Sequence, residues 1–385
     1  MDFCFTEEQE AFRQEVRDFL DGELKAGLWE PTCDAWIQGH DPEFSKRMAG
    51  KGWIGLTWPT EYGGQGRSHI DRLILTEELL RSGAPAACHW FADRQVGGAI
   101  LQSGTDELKQ ELLPRITRAE AFFGVSISEP GTGSDVASLQ ARAAEDGDYY
   151  VLNGQKTWTS CAIYAHYFYI VLRTDPDAPK HRGISEFIVD AKAPGVSLVP
   201  MVDITGTEAW NDLFLDNVRV HKKYLIGEKN RGFYQIVRQL DYERSGMERV
   251  MGNYALFDAI IRHSKETGLS NDPIIRSKLA QLQIEFDIGR LLCYRVASVM
   301  EEGKAPNRES SISKAYCTEF EKRLASVAVD VLGPYGQLTA GSKFVPVRGL
   351  GAHSYLGSKG YSLQGGTTEI LKNIIATRGL GLPSE

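Results

Sequence analysis

The spacing of apolar residues switches from a helical to a strand period near Phe122 and back again near Gly232. This double switch limits the fold more than any other property of the chain, because a helical pattern cannot settle as a sheet, nor a strand pattern as a helix. Before Phe122, Thr6 can cap a helix, with Gln9 three residues on and Phe12, Val16, Phe19 and Leu20 at helical spacing. Ile70, Leu73, Ile74 and Leu80 repeat the pattern, and Thr105 opens another helix that Pro114 is expected to close. Breaks rich in Gly and Pro at Thr57–Gly66 and Ser82–Pro85 separate these pieces.

Between the two switches, Tyr149–Leu152, the turn pair Asn153-Gly154 and Gln155–Ser160 read as a hairpin. Tyr167–Leu172, Ser185–Val189, Val196–Pro200 and Asp212–Val220 are further strand candidates, rich in β-branched and aromatic residues. After Gly232, Phe233–His263, Asp272–Glu302 and Ser310–Leu332 each read as one long helix, with a shorter one at Thr367–Thr377. Helices this long leave surface for packing against other subunits. The chain is therefore expected to be an α+β multidomain protein. It has an N-terminal helical domain (1–121), a middle β-barrel or sandwich domain (122–228) and a C-terminal four-helix bundle (229–385).

At 385 residues, two or three cores are expected. A formal net charge of -8 argues against a nucleic-acid footprint. No apolar run reaches the roughly 18 residues needed to span a bilayer. Residues 1–8 are acidic and lack the basic start and apolar stretch of a secretory signal. Cys4, Cys33, Cys88, Cys161, Cys293 and Cys317 are scattered without a C-x-x-C pair, which suits reduced thiols in a cytoplasm. The histidines show no metal-binding spacing, so no metal is expected.

Two segments carry the chemistry. Residues 126–135 read Ser-Ile-Ser-Glu-Pro-Gly-Thr-Gly-Ser-Asp, and residues 153–160 read Asn-Gly-Gln-Lys-Thr-Trp-Thr-Ser. Each joins a turn to small hydroxyl side chains and backbone N–H groups, a surface suited to a flat, polar, phosphate-bearing cofactor. Together they resemble the flavin-binding strands of the acyl-CoA dehydrogenase family. The resemblance extends over essentially the whole chain. It includes Trp53-Ile54-Gly55-Leu56, Pro59–Gly64, Leu215–Val220, Val331–Gly336 and Gly365-Gly366-Thr367-Thr368-Glu369-Ile370.

The resemblance implies FAD as cofactor, held by Ile127, Ser128, Ser134, Trp158, Thr159, Ser160, Thr367 and Glu369. Ser134 also reaches toward the substrate. It implies an acyl-CoA substrate and an electron-transfer flavoprotein as acceptor. Many members place a catalytic Glu in a Tyr-Glu-Gly-Thr string, but here Gly365 stands at that position and cannot take a proton. A subset that includes the isovaleryl-type enzymes carries the base in a Leu-Asp-x-Glu-Arg context on a long helix. Leu240-Asp241-Tyr242-Glu243-Arg244 matches it, which makes Glu243 the expected base, with Asp241 and Arg244 toward the substrate. Glu369 is a rival carboxylate. The backbone N–H of Gly365 would still polarise the thioester carbonyl.

The chain departs from the family where members clamp a neighbouring subunit's flavin. An Arg-x-x-Phe-Gly string is replaced by His263-Ser264-Lys265-Glu266-Thr267-Gly268, and a downstream Gln by Asp330. Either this chain pairs with a different homologous chain in a heterotetramer, or it is a homotetramer with altered cofactor contacts. Arg94, in a helix that lines the acyl pocket of relatives, could meet a second carboxylate on the substrate or simply pair with Asp93. Three other functions are compatible with the pattern: dehydrogenation of a carrier-protein thioester, an oxidase of the same fold, or a non-catalytic subunit of a heteromer.

Overall fold

A computed structural model describes residues 4–243 and 246–383; the side chains of residues 240–243 lie outside that description. Along the chain the order helical, β, helical holds. The contacts divide it into two compact units, one made of Met1–Gly39, Ser68–Pro85 and Arg244–Glu385, the other of His40–Arg67 and Ala86–Glu243.

The first unit is helical. Helix Glu7–Lys25 starts at the expected capping box, in which Gln9 N–H donates to Thr6 Oγ1 and Thr6 N–H to Gln9 Oε1. It packs on helix His69–Ser82, which packs in turn on Pro273–Glu301. Their shared core holds charges: the buried Arg13 guanidinium donates to Glu77 at 2.8 Å and to Glu78 at 2.5 Å, and Arg290 Nε donates to Glu77 at 2.6 Å. Removing one partner of such a group leaves an uncompensated buried charge, at roughly 3–5 kcal/mol. Helix Asn307–Leu332 runs beside Pro273–Glu301 and carries Leu350–Tyr361 and Thr368–Ile374 on its flank.

The single helix expected over Phe233–His263 is three helices, Gly232–Glu243, Met247–Met251 and Tyr254–Glu266. Gly246 adopts φ +85°, which ends helical propagation, and a Cβ there would stand 2.5 Å from Ser313 Oγ. Helix Leu350–Tyr361 was not anticipated.

The second unit holds one eight-stranded sheet, seven strands of which run in the order β6-β7-β3-β1-β4-β5-β8, with β2 off that path. The strands are β1 Phe123–Ser126, β2 Arg142–Asp146, β3 Tyr149–Ser160, β4 Tyr167–Arg173, β5 Ile184–Asp190, β6 Val196–Met201, β7 Trp210–His221 and β8 Leu225–Ile226. Both β1 and β2 pair with β3 and with β4, so the sheet closes locally on itself around Leu152, Phe168, Ile170, Phe187, Leu213 and Val218. The expected Asn153-Gly154 hairpin is absent, because β3 runs straight through both residues. Gly154, at φ +144°, instead marks a register shift against β7, and the hairpin turn lies at Gly147 between β2 and β3. Pro114 does not close its helix, which starts at the expected Thr105 cap and runs Asp106–Thr117 with Pro114 in its last turn. The six cysteines form no disulfide.

Candidate functional site

In the second unit the two motif segments hold each other. Lys156 and Glu129, both buried, form an ion pair of 2.8 Å. Lys156 Nζ also donates to the Ile127 carbonyl at 3.1 Å, and the Glu129 carboxylate accepts the N–H groups of Gln140 (2.7 Å) and Ala141 (2.9 Å). One carboxylate thus ties both ends of the 127–141 loop to β3. Burial pushes the Lys156 ammonium down to about 8, against the opposing pull of Glu129. Thr157 N–H donates to the Ser128 carbonyl at 2.9 Å, and the Ser126 and Thr159 hydroxyls meet at 2.9 Å.

This clamp sets the surface. The register of β3 on β7 slips between Lys156 and Thr159, and Trp158 sits in the slip at φ +58° with 56% of its surface exposed. A large non-glycine residue in left-handed backbone, with its indole in solvent, is strained, and such strain concentrates at binding sites. The ring is braced edge-on by Trp210, with centroids 6.3 Å apart. Gly131, Gly133 and Ser134 are exposed, and a Cβ added at either glycine would meet nothing within 4 Å among the described residues. An aromatic face, buried Thr159 and Ser160 beside it and an open glycine-lined edge fit a flat ring with a polar rim. The unit therefore brings together Ile127, Ser128, Trp158, Thr159 and Ser160, with Ser134 in the same loop.

The first unit gathers Gly365, Thr367 and Glu369. Thr367 caps helix Thr368–Ile374, and Glu369 is exposed in its first turn. Hydrogen bonds from its own backbone N–H, then from Thr367, hold the Glu369 carboxyl below its usual range. Gly365 and Gly366 adopt φ +66° and +99°. Among the described residues, a Cβ at Gly365 would touch only Lys314 Cε, at 3.9 Å. Lys314 is buried and donates to the carbonyls of Gly366 (2.7 Å) and Tyr361 (3.2 Å), so an ammonium fixes the double-glycine turn. Neither Lys314 nor the Lys156–Glu129 pair was singled out from sequence, although Glu129 and Lys156 lie inside the two motifs.

Glu243 closes helix Gly232–Glu243, and its side chain and that of Asp241 lie outside the described residues, as does Arg244. Arg94 lies in a π-helical turn, Ala92–Val96, 3.9 Å from Asp93 and with its guanidinium 4.7 Å from the Trp90 ring centre. The Asp93 pairing is therefore present, and the turn itself is a form common at functional sites. Asp330 forms an exposed ion pair with Lys278 at 2.8 Å. Among the described residues no group of three or more His, Cys, Asp or Glu is placed to hold a metal ion, and no helix is long and apolar enough to cross a membrane.

Three family models match almost end to end: acyl-CoA dehydrogenase N-terminal domain at residues 6–120, middle domain at 124–218 and C-terminal domain at 230–380. The chain is 32% identical to acyl-CoA dehydrogenase FadE26 of Mycobacterium tuberculosis, over 100% of this chain and 99% of that one. Among solved structures it is similar to the Tcur3481-Tcur3483 steroid ACAD (30% identity, TM-score 0.91, all of both chains). It is also similar to the ChsE4-ChsE5 complex from Mycobacterium tuberculosis (31% identity, TM-score 0.87, all of both chains).

Proposed function

This chain belongs to the acyl-CoA dehydrogenase family, and from that premise we propose that it oxidises the Cα–Cβ bond of an acyl-CoA thioester to the trans-2-enoyl-CoA. Members of the family are FAD-dependent oxidoreductases. Bound FAD supplies the acceptor for the hydride that leaves Cβ. The observation that carries the reading is the strained, exposed Trp158 set beside the clamped 127–134 loop.

Ile127, Ser128, Thr159 and Ser160 offer polar groups around that indole to the flavin, and Ser134 serves the cofactor and the substrate. In the other unit, Thr367 and Glu369 serve the cofactor. Glu243 takes the α-proton on its carboxylate as the Cα–Cβ double bond forms. The Gly365 N–H donates to the thioester oxygen and stabilises the charge that builds there as the proton leaves. Asp241 and Arg244, beside the base, and Arg94 position the substrate. Electrons then pass to an electron-transfer flavoprotein in the cytoplasm. Anaerobic titration with a panel of acyl-CoAs tests the whole reading: one or more should bleach the flavin absorbance, and bleaching by none would overturn it.

Lys314 acts as a positioning residue for Gly365. Lys314→Met should lower kcat by about 10–100-fold with little change in KM, a loss of roughly 1.4–2.7 kcal/mol of transition-state stabilisation. Lys314→Arg should recover part of it. Infrared spectra should show the bound thioester carbonyl less polarised in the Met variant, and an unshifted band would remove Lys314 from this role.

We further propose a heterotetramer with a homologous chain. The absent Arg and Phe at residues 263–268 and the acidic Asp330 support it, as do the paired chains in the two solved structures. Helix Pro273–Glu301 exposes Ile284, Ile288 and Leu291 along one stripe, as a subunit contact would require. Expressed alone, the chain should carry well under one FAD per chain and fill on co-purification with its partner. One FAD per chain when alone would exclude this.

A further inference from the structure

A second cavity, of about 610 Å³, lies within the sheet-bearing unit. Among the described residues, none assigned above to flavin or acyl-CoA lines it. Its inner wall carries Glu186, in the middle of β5 between Val171 of β4 and Ile226 of β8. Glu186 is 1% exposed, and its Oε1 has no hydrogen-bond partner among the described residues. Burial pushes this carboxyl up to about 8, against the opposing hydrogen bonds of Tyr169 and Gln235, which favours the neutral acid.

Gln235 and Gln239, which line the cavity, also bond elsewhere. Gln239 donates to the Gln95 carbonyl at 2.6 Å and accepts from Tyr169 at 3.1 Å. Gln235 accepts from Glu228 N–H and donates to the Ile226 carbonyl, each at 3.1 Å. A buried polar atom left unpaired is destabilising, and a ligand in the cavity would relieve that.

The rest of the lining gives the sign of that ligand. Two 12-residue helices start at the cavity, Asp106–Thr117 at its cap Thr105 and Gly232–Glu243 after Arg231. Both present the positive end of the helix dipole. Arg231 and Arg238 are exposed, and among the described residues Glu228 is the other carboxyl group in the lining. The balance is positive, which disfavours a cation, while a neutral carboxyl can donate a hydrogen bond to an anionic oxygen.

We propose that this cavity is a binding site for a small organic anion, a carboxylate or a phosphate ester. Arg231, Arg238 and the two helix starts hold the charge, and Glu186 donates to the anion from the inner wall. Among the described residues its lining shares no member with those assigned to the flavin or the thioester.

The test is calorimetric titration of the full-length flavoprotein at pH 7, in a buffer free of either anion, with inorganic phosphate and separately with succinate. Saturable binding of one anion per chain is expected, weakened at least fivefold by Arg238→Ala and by Glu186→Leu. Glu186→Gln, which keeps a neutral donor, should bind within twofold of the parent. Binding of phosphate alone assigns the site to phosphate esters, and binding of succinate alone to carboxylates. No saturable binding of either anion would overturn the proposal, as would affinity unchanged in both Arg238→Ala and Glu186→Leu.

Discussion

Glu243→Gln should leave the protein folded and its flavin bound while lowering the rate of flavin reduction by acyl-CoA about 10²–10⁴-fold, the usual contribution of a positioned base. The amide keeps the shape of the carboxylate but cannot accept the α-proton. Gly365 offers no substitute, since a side chain there would have to adopt the left-handed backbone at φ +66°. Glu369 is poorly placed to replace it: it is exposed, and its carboxyl is held below its usual range by hydrogen bonds that favour the charged form. Glu369→Gln should therefore cost less than tenfold. Stopped-flow reduction of the variants under anaerobic conditions distinguishes them. Near-parental reduction in Glu243→Gln would move the base elsewhere.

The second large effect is structural. Lys156→Met removes the ammonium from the Glu129 carboxylate and strands a buried charge, at a cost of about 3–5 kcal/mol. The Ile127 carbonyl loses its donor at the same time, so the loop that flanks Trp158 loosens. The variant should unfold at lower denaturant and release flavin more readily than the parent. Adding Glu129→Gln to it should recover part of the stability, because a neutral amide no longer needs the ammonium and its oxygen can still accept from Gln140 and Ala141. If the double variant is no more stable than Lys156→Met, the cost lies in packing rather than charge.

Much of the fold was legible because its helices bury one stripe each and cap themselves with their own residues, as Thr6, Thr105 and Thr367 do. The failures share a cause in tertiary context. Asn153-Gly154 has the composition of a turn, but β7 pairs with β3 on both sides of it and turns it into a bulge. The pattern over Phe233–His263 keeps its helical period across Gly246, where the chain lies against Ser313 of another helix. Leu350–Tyr361 is rich in Gly and Ser and has no apolar stripe to announce it. At the site, the motif residues were readable because they are adjacent in sequence. The lysines that fix them act at separations of 27 residues, for Lys156 on Glu129, and 52, for Lys314 on Gly366, and no local pattern records those distances.

The first unit is assembled from three separated stretches of chain, and this has a consequence during synthesis. Arg13 meets Glu77 and Glu78 early, but Glu77 also needs Arg290 and Tyr294. At roughly 5–20 residues per second, helix Glu7–Lys25 waits some tens of seconds on the ribosome for those partners. All of the sheet-bearing unit has been synthesised once residue 243 emerges, well before the other unit is complete. During that interval Phe12, Val16 and Leu20, buried in the finished protein, have no completed core to enter.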